Sequence, residues 1–149
     1  MKILLSIIVI SIFTLKTGLA QQALLMDTSM IENTFALYKF PIKNNFIALS
    51  PLPSAKFLDQ DIQLLRSNQI TNVITLVQTK ELESANLNHF FNILQQNGIR
   101  SHHFPIEDFG IPNHQQMDSI YHTLASMLEN GENILIHCKG GLGRSGTVF

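Results

Sequence analysis

The chain has 149 residues, a net charge of −1 and a pI near 6.6. That length supports one domain with a hydrophobic core and excludes two of ordinary size. The near-neutral charge offers no global basic field for nucleic acid or an anionic membrane.

The first element, "MKILLSIIVISIFTLKTGLA", reads as a signal peptide over residues 1–20. Lys2 forms a positive n-region, Ile3 to Leu15 an apolar h-region, and Gly18-Leu19-Ala20 offer small residues for cleavage after Ala20. As a membrane span the stretch is too short. Its thirteen residues contain Ser6, Ser11 and Thr14 and are closed by Lys16, against the roughly 20 apolar residues a span needs. The expectation is a secreted or periplasmic protein with no stable membrane insertion after cleavage. No cysteine follows the cut, so a lipid anchor there is not expected. Cleavage leaves eight basic and eleven acidic residues, a net −3. The single cysteine, Cys138, cannot form an intramolecular disulfide. It is a buried inert residue, a dimer bridge or a working thiol, and its neighbours decide which.

Residues 21–44 read as an N-terminal extension with one short strand, Leu37 to Phe40, and the regular pattern runs from 45 to 149. Phe46–Leu49 reads as a strand, followed by the turn-prone "SPLPS". Asp59 to Arg66 reads as a helix with Leu58, Ile62 and Leu65 on one face. Asn72–Val77 is an apolar, β-branched run, as in a strand buried on both faces. Leu87 to Gln96 has Leu87, Phe90, Phe91 and Leu94 at helical spacing, with Gly98 as the stop. Ile99–Phe104 is the next strand. Asn113 with Gln116 forms a capping-box pattern opening a helix that turns Met117, Ile120, Tyr121, Leu124 and Met127 inward. Asn130-Gly131 closes it, and Asn133–Cys138 is the last strand. The alternation predicts an α/β fold, a central and mostly parallel sheet flanked by helices. Ligands bind at the carboxyl ends of such strands.

Two phosphate-binding patterns overlap in the last segment. Gly141-Leu142-Gly143-Arg144-Ser145-Gly146 is G-x-G-x-x-G after a strand, the dinucleotide fingerprint. That fingerprint belongs to the first strand–helix turn of its domain, with an acidic residue about 20 positions on. Here it falls in the last turn and leaves His137 and Cys138 without a role. The second pattern, His137-Cys138-x5-Arg144-Ser145, gives every part a task. Cys138 is the nucleophile, attacking phosphorus as a thiolate. Backbone N–H groups and a nearby guanidinium lower a thiol's pKa. Gly140, Gly141 and Gly143 let the backbone curl so that the amides of Lys139 to Arg144, Leu142 included, converge on phosphoryl oxygens. Arg144 returns to the phosphate with a planar fork. Ser145 hydrogen-bonds the sulfur and makes it a better leaving group, and His137 orients the loop.

"HCKGGLGRSG" resembles the signature loop of the cysteine-dependent protein tyrosine and dual-specificity phosphatases. "HHFPIEDFGIP" extends the resemblance, since Asp108-Phe109-Gly110-Ile111-Pro112 has the D-x-G-x-P form of the family's general-acid loop, without the tryptophan of the classical tyrosine-specific branch. The order of these motifs, with "PLPSAKF" upstream, is most similar to the cyclin-dependent kinase-associated type, and it covers about Asn45 to Phe149. The resemblance implies a phosphatase acting on phosphorylated protein, with Asp108 as general acid and then base; adjacent Glu107 is the alternative acid. Lys139 matches a basic position of the lipid-phosphatase loop, but Leu142 stands where that type has its second basic residue. The kinase-associated type has tyrosine at the position of Lys139.

No cofactor and no metal are expected. His89, His102, His103, His114, His122 and His137 fall on separate elements, without an H-x-x-x-H pair. His102 and His103 point to opposite faces of one strand. Only Arg144 to Phe149 are left for the helix after the loop, and the resemblance implies further helices over one face of the sheet. The expectation is therefore a partial catalytic domain, its C-terminal helices missing from this chain and apolar strand surface exposed. The alternatives are a phosphate-binding remnant without turnover and, behind it, a dinucleotide-binding protein.

Overall fold

Short β-branched runs alternate with amphipathic stretches along this chain, and each run becomes a strand. The computed structural model describes residues 33–149, so the expected signal peptide and most of the extension lie outside the described residues. The strands are β1 (Tyr38–Ile42), β2 (Asn45–Ser50), β3 (Ile70–Thr75), β4 (Arg100–His103) and β5 (Asn133–His137). The helices are α1 (Leu58–Ser67), α2 (Thr79–Ser84), α3 (Phe90–Gln96), α4 (His114–Glu129) and α5 (Gly143–Val148).

The strands form one sheet in the order β1-β2-β5-β3-β4. β2, β5, β3 and β4 run parallel, and β1 pairs antiparallel with β2 across a turn in which Lys43 has φ 53°. The segment read as an extension thus supplies an edge strand. Side-chain alternation on the strands feeds two cores. Ala48, Val73 and Leu135 pack with Ile62, Leu65, Leu82, Phe90 and Leu94 from α1, α2 and α3. Ile47, Leu49, Ile74, Ile134 and Ile136 pack with Ile120, Leu124, Met127 and Val148 from α4 and α5. Each such Val, Leu, Ile, Phe or Met side chain taken from water contributes about 1.5–3 kcal/mol.

Four expectations need correction. Tyr121 is half exposed, because the buried stripe of α4 follows Ile120, Leu124 and Met127 alone. α3 begins at Phe90, not Leu87. The chain turns through Asn86 at φ 57° after an unforeseen helix, α2, and the Leu87 N–H bonds back to the Leu82 carbonyl at 2.8 Å. The capping box at α4 is half made: the Asn113 side chain accepts from the Gln116 N–H at 2.9 Å, while the Gln116 amide donates to the Pro105 carbonyl. Apart from the half-buried Phe46, the apolar residues of β2, β3 and β5 are buried. Exposed aromatic surface on the sheet is confined to Tyr38 and Phe40 of β1, and the Phe40 ring meets Phe149 at 4.4 Å.

Register places the site. Ser50, His137, Thr75 and His103 line up across β2, β5, β3 and β4 at the carboxyl ends of the parallel strands. The loops after β5 and β4, carrying Cys138 and Asp108, leave the sheet from that row.

Candidate active site

Cys138 follows β5 directly, outside the strand rather than closing it, and is buried. The loop after it is pinned by backbone bonds on both sides. The Leu76 N–H donates to the His137 carbonyl at 3.0 Å, and the Leu52 N–H to the Lys139 carbonyl at 3.1 Å. Gly141 makes the turn possible. Its φ is 79°, and a Cβ there would come within 2.6 Å of the Pro51 nitrogen and the Ser50 carbonyl carbon. Side-chain-bearing residues avoid both conditions. The turn aims the Gly141 N–H at the Cys138 Sγ, 3.2 Å away.

Two opposed effects act on the thiol. Burial pushes its pKa up, while the Ser145 hydroxyl and the backbone N–H groups of Ser145, Gly141 and Gly140 push it down. The second group wins, so the thiol sits below its ordinary range. The Ser145 Oγ is buried and has no other hydrogen-bond partner. His137, fully buried, stays neutral: desolvation lowers its pKa to about 4. Its Nε2 is 2.8 Å from the Thr75 Oγ1, and its ring stands edge-on to Phe90. It therefore props the loop from beneath and does not reach the cleft.

Arg144 is gripped as firmly. Its Nη1 and Nη2 donate to the two carboxylate oxygens of Glu81 at 2.7 and 2.8 Å, and Nη1 also donates to the Ile106 carbonyl at 3.0 Å. Asp108 Oδ1 lies 3.3 Å from Nη2. Glu81 holds the guanidinium pKa above its ordinary range, and Arg144 in turn keeps the Glu81 carboxyl below the usual carboxylate value. Glu81 was not among the sequence candidates. It stands on α2, and the one signal for it was a Glu three residues after Gln78, whose N–H donates to Glu81 Oε2 at 2.9 Å.

The structure gathers Cys138, Lys139, Gly140, Gly143, Arg144 and Asp108 around one cleft of about 620 Å³, with Phe109, Gly110, Ile111 and Thr147 completing its wall. Asp108 lines it and Glu107 does not. Phe109, at φ 60°, closes the turn that carries both, in which the Gly110 N–H bonds to the Glu107 carbonyl at 2.8 Å. Of the remaining sequence candidates, Gly141, His137 and Ser145 lie behind the loop, and the Leu142 side chain points to solvent. Among the described residues no three His, Cys, Asp or Glu side chains gather as a metal-ligand group, and no helix is long and apolar enough to cross a membrane.

A mostly parallel sheet whose central strand runs into a buried cysteine and a glycine-rich turn to an arginine defines a class, and the comparisons agree. Residues 51–149 match the family model described as polymorphic toxin system, DSP-PTPase phosphatase, and the chain belongs to that family. Cyclin-dependent kinase inhibitor 3 of Rattus norvegicus is 37% identical over 111 residues, 70% of this chain and 52% of that protein. The Homo sapiens protein of the same name is 35% identical over 111 residues, again 70% and 52%. The chain therefore spans about half the length of the curated relatives it matches. Among solved structures, a kinase associated phosphatase with its catalytic-site cysteine replaced by serine superposes with a TM-score of 0.68. It is 31% identical, with 76% of this chain and 70% of that one covered.

Proposed function

We propose that this protein is a phosphoprotein phosphatase that hydrolyses phosphotyrosine or phosphoserine/threonine esters through a phosphocysteine intermediate. The observation that carries the reading is the convergence of Cys138, Arg144 and Asp108 on one cleft. The Cys138 thiolate attacks phosphorus and the P–O ester bond breaks. Its electron pair leaves on the ester oxygen, which takes a proton from Asp108. Water then attacks the phosphocysteine and gives its proton to Asp108. The S–P bond breaks, freeing inorganic phosphate and the thiolate. Arg144 and the loop amides hold the equatorial oxygens throughout. Glu81 is a positioning residue, fixing the guanidinium so that its remaining N–H donors face the cleft.

The test is hydrolysis of an aryl phosphate in the presence of a chelator. Turnover is expected, falling by at least about 10³-fold in Cys138→Ser and by about 10²-fold or more in Asp108→Asn. Undiminished hydrolysis by Cys138→Ser would sink the reading. Binding of phosphate without any turnover would favour a non-catalytic phosphate module. Export is part of the proposal. Expression of the chain in a bacterial host should give a product beginning at Gln21 outside the cytoplasm, and an unprocessed cytoplasmic product would remove it.

A further inference from the structure

The cleft has a neighbour. Leu52, Lys80, Glu81, Ser84, Ala85 and Lys139 line a second hollow of about 360 Å³, and Lys139 lines both. Lys139 follows Cys138 in the chain, and its carbonyl is held by the Leu52 N–H, so its place on the divide is fixed by backbone. Lys80 comes from the first turn of α2, which the Glu81–Arg144 pair ties to the phosphate loop. Both lysines are exposed, and neither ammonium has an ion pair or hydrogen bond among the described residues. Glu81 is the acid of this hollow, and both its oxygens are taken by Arg144. The hollow therefore presents two ammonium groups without an ion pair of their own, Lys139 acting on Glu81 only through the longer-range field, against an apolar wall of Leu52 and Ala85.

We infer that this hollow is a subsite for a second anionic group of a phosphopeptide substrate, an acidic side chain or a second phosphate beside the phosphorylated residue. The inference rests on the phosphatase reading above, which puts the first phosphate over Cys138. An extended peptide advances about 3.3 Å per residue, so a residue one or two positions away reaches across Lys139. A peptide suits the surroundings better than a polyhydroxylated headgroup. Across the cleft, Phe109 is fully exposed and Ile111 largely so, and these offer apolar contact rather than hydroxyl partners.

The experiment measures binding with turnover removed, using full-length Cys138→Ser protein and labelled phosphotyrosyl peptides. One peptide has neutral neighbours, one carries adjacent aspartates and one a neighbouring second phosphate. The acidic peptides are expected to bind about three- to tenfold tighter, with the gain fading at high salt. Adding Lys80→Ala or Lys139→Ala should cut that gain without weakening the neutral peptide as much. Whichever acidic peptide shows the larger gain identifies the group. Equal binding of neutral and acidic peptides, or a gain that survives both substitutions, would overturn the subsite. So would a larger lysine-dependent gain for a soluble inositol bisphosphate. On the cysteine-containing chain, Lys80→Ala should leave aryl phosphate hydrolysis unchanged. Absent hydrolysis with a persisting gain would remove the catalytic reading and keep the subsite.

Discussion

Arg144 and Glu81 show how little freedom the site leaves to its guanidinium. Their side chains are 4% and 11% exposed, and the fork-to-fork geometry fixes the plane of the guanidinium. Removing one charge from such a pair leaves the other buried and under-compensated. Glu81→Gln should lower stability by on the order of 2 kcal/mol near neutral pH, read from denaturant midpoints. The pH dependence has a definite sign. Because Arg144 depresses the Glu81 pKa below its ordinary 4.5, the stabilisation is fully present above that pH and is lost as pH falls through the folded-state value. The gap between parent and Glu81→Gln should therefore close in acid; a constant gap would mean that the pair adds nothing ionic. The same variant should raise KM for an aryl phosphate, since a swivelling Arg144 loses its preset geometry.

Helices and loops differ here in how much of them the residues announced. α1 and α4 were legible because ten and sixteen residues give periodicity room to appear, and the cysteine-to-arginine loop was legible because its residue types are chemically specific. α2 was not. Six residues are less than two turns, and its buried face is Leu82 alone, so no stripe exists to be read. With α2 went Glu81, whose role depends on a partner 63 residues away. β1 was half legible: the strand runs to Ile42 through Pro41, which an edge position tolerates. Within the last loop, glycines are not equivalent. Gly141→Ala places a Cβ against backbone atoms at positive φ and should cost about 3 kcal/mol, seen as a lower Tm. Gly146→Ala meets nothing within 4 Å inside α5 and should raise stability by about 0.5–1 kcal/mol. At α4, Asn113→Ala removes the cap on the Gln116 N–H and should cost about 1 kcal/mol.

For the molecule as a whole, acid sensitivity should centre on the strand that carries the loop. His137 titrates near pH 6.5 when unfolded and about 4 when folded, so the unfolded state binds the extra proton between those values. Stability is undiminished above pH 6.5 and falls by about 3 kcal/mol as pH drops toward 4. Denaturant midpoints should fall over that range in the parent and less steeply in His137→Gln, whatever the variant's absolute stability. Parallel slopes would place the acid response elsewhere. The position of β5 has one more consequence, in time rather than in space. It is the middle strand of the sheet, lying between β2 and β3, yet it is the last of the described strands in chain order. Phe46 waits for Asn133, 87 residues later, and Thr75 for His137, 62 later. As the chain leaves the ribosome, β2 and β3 have no common neighbour until residues 133–137 emerge, and their edges stay open to foreign strands. Such long-range closure is slow, so chaperone dependence during synthesis should be high, and a release assay on stalled chains should show protease resistance only after β5 has cleared the tunnel.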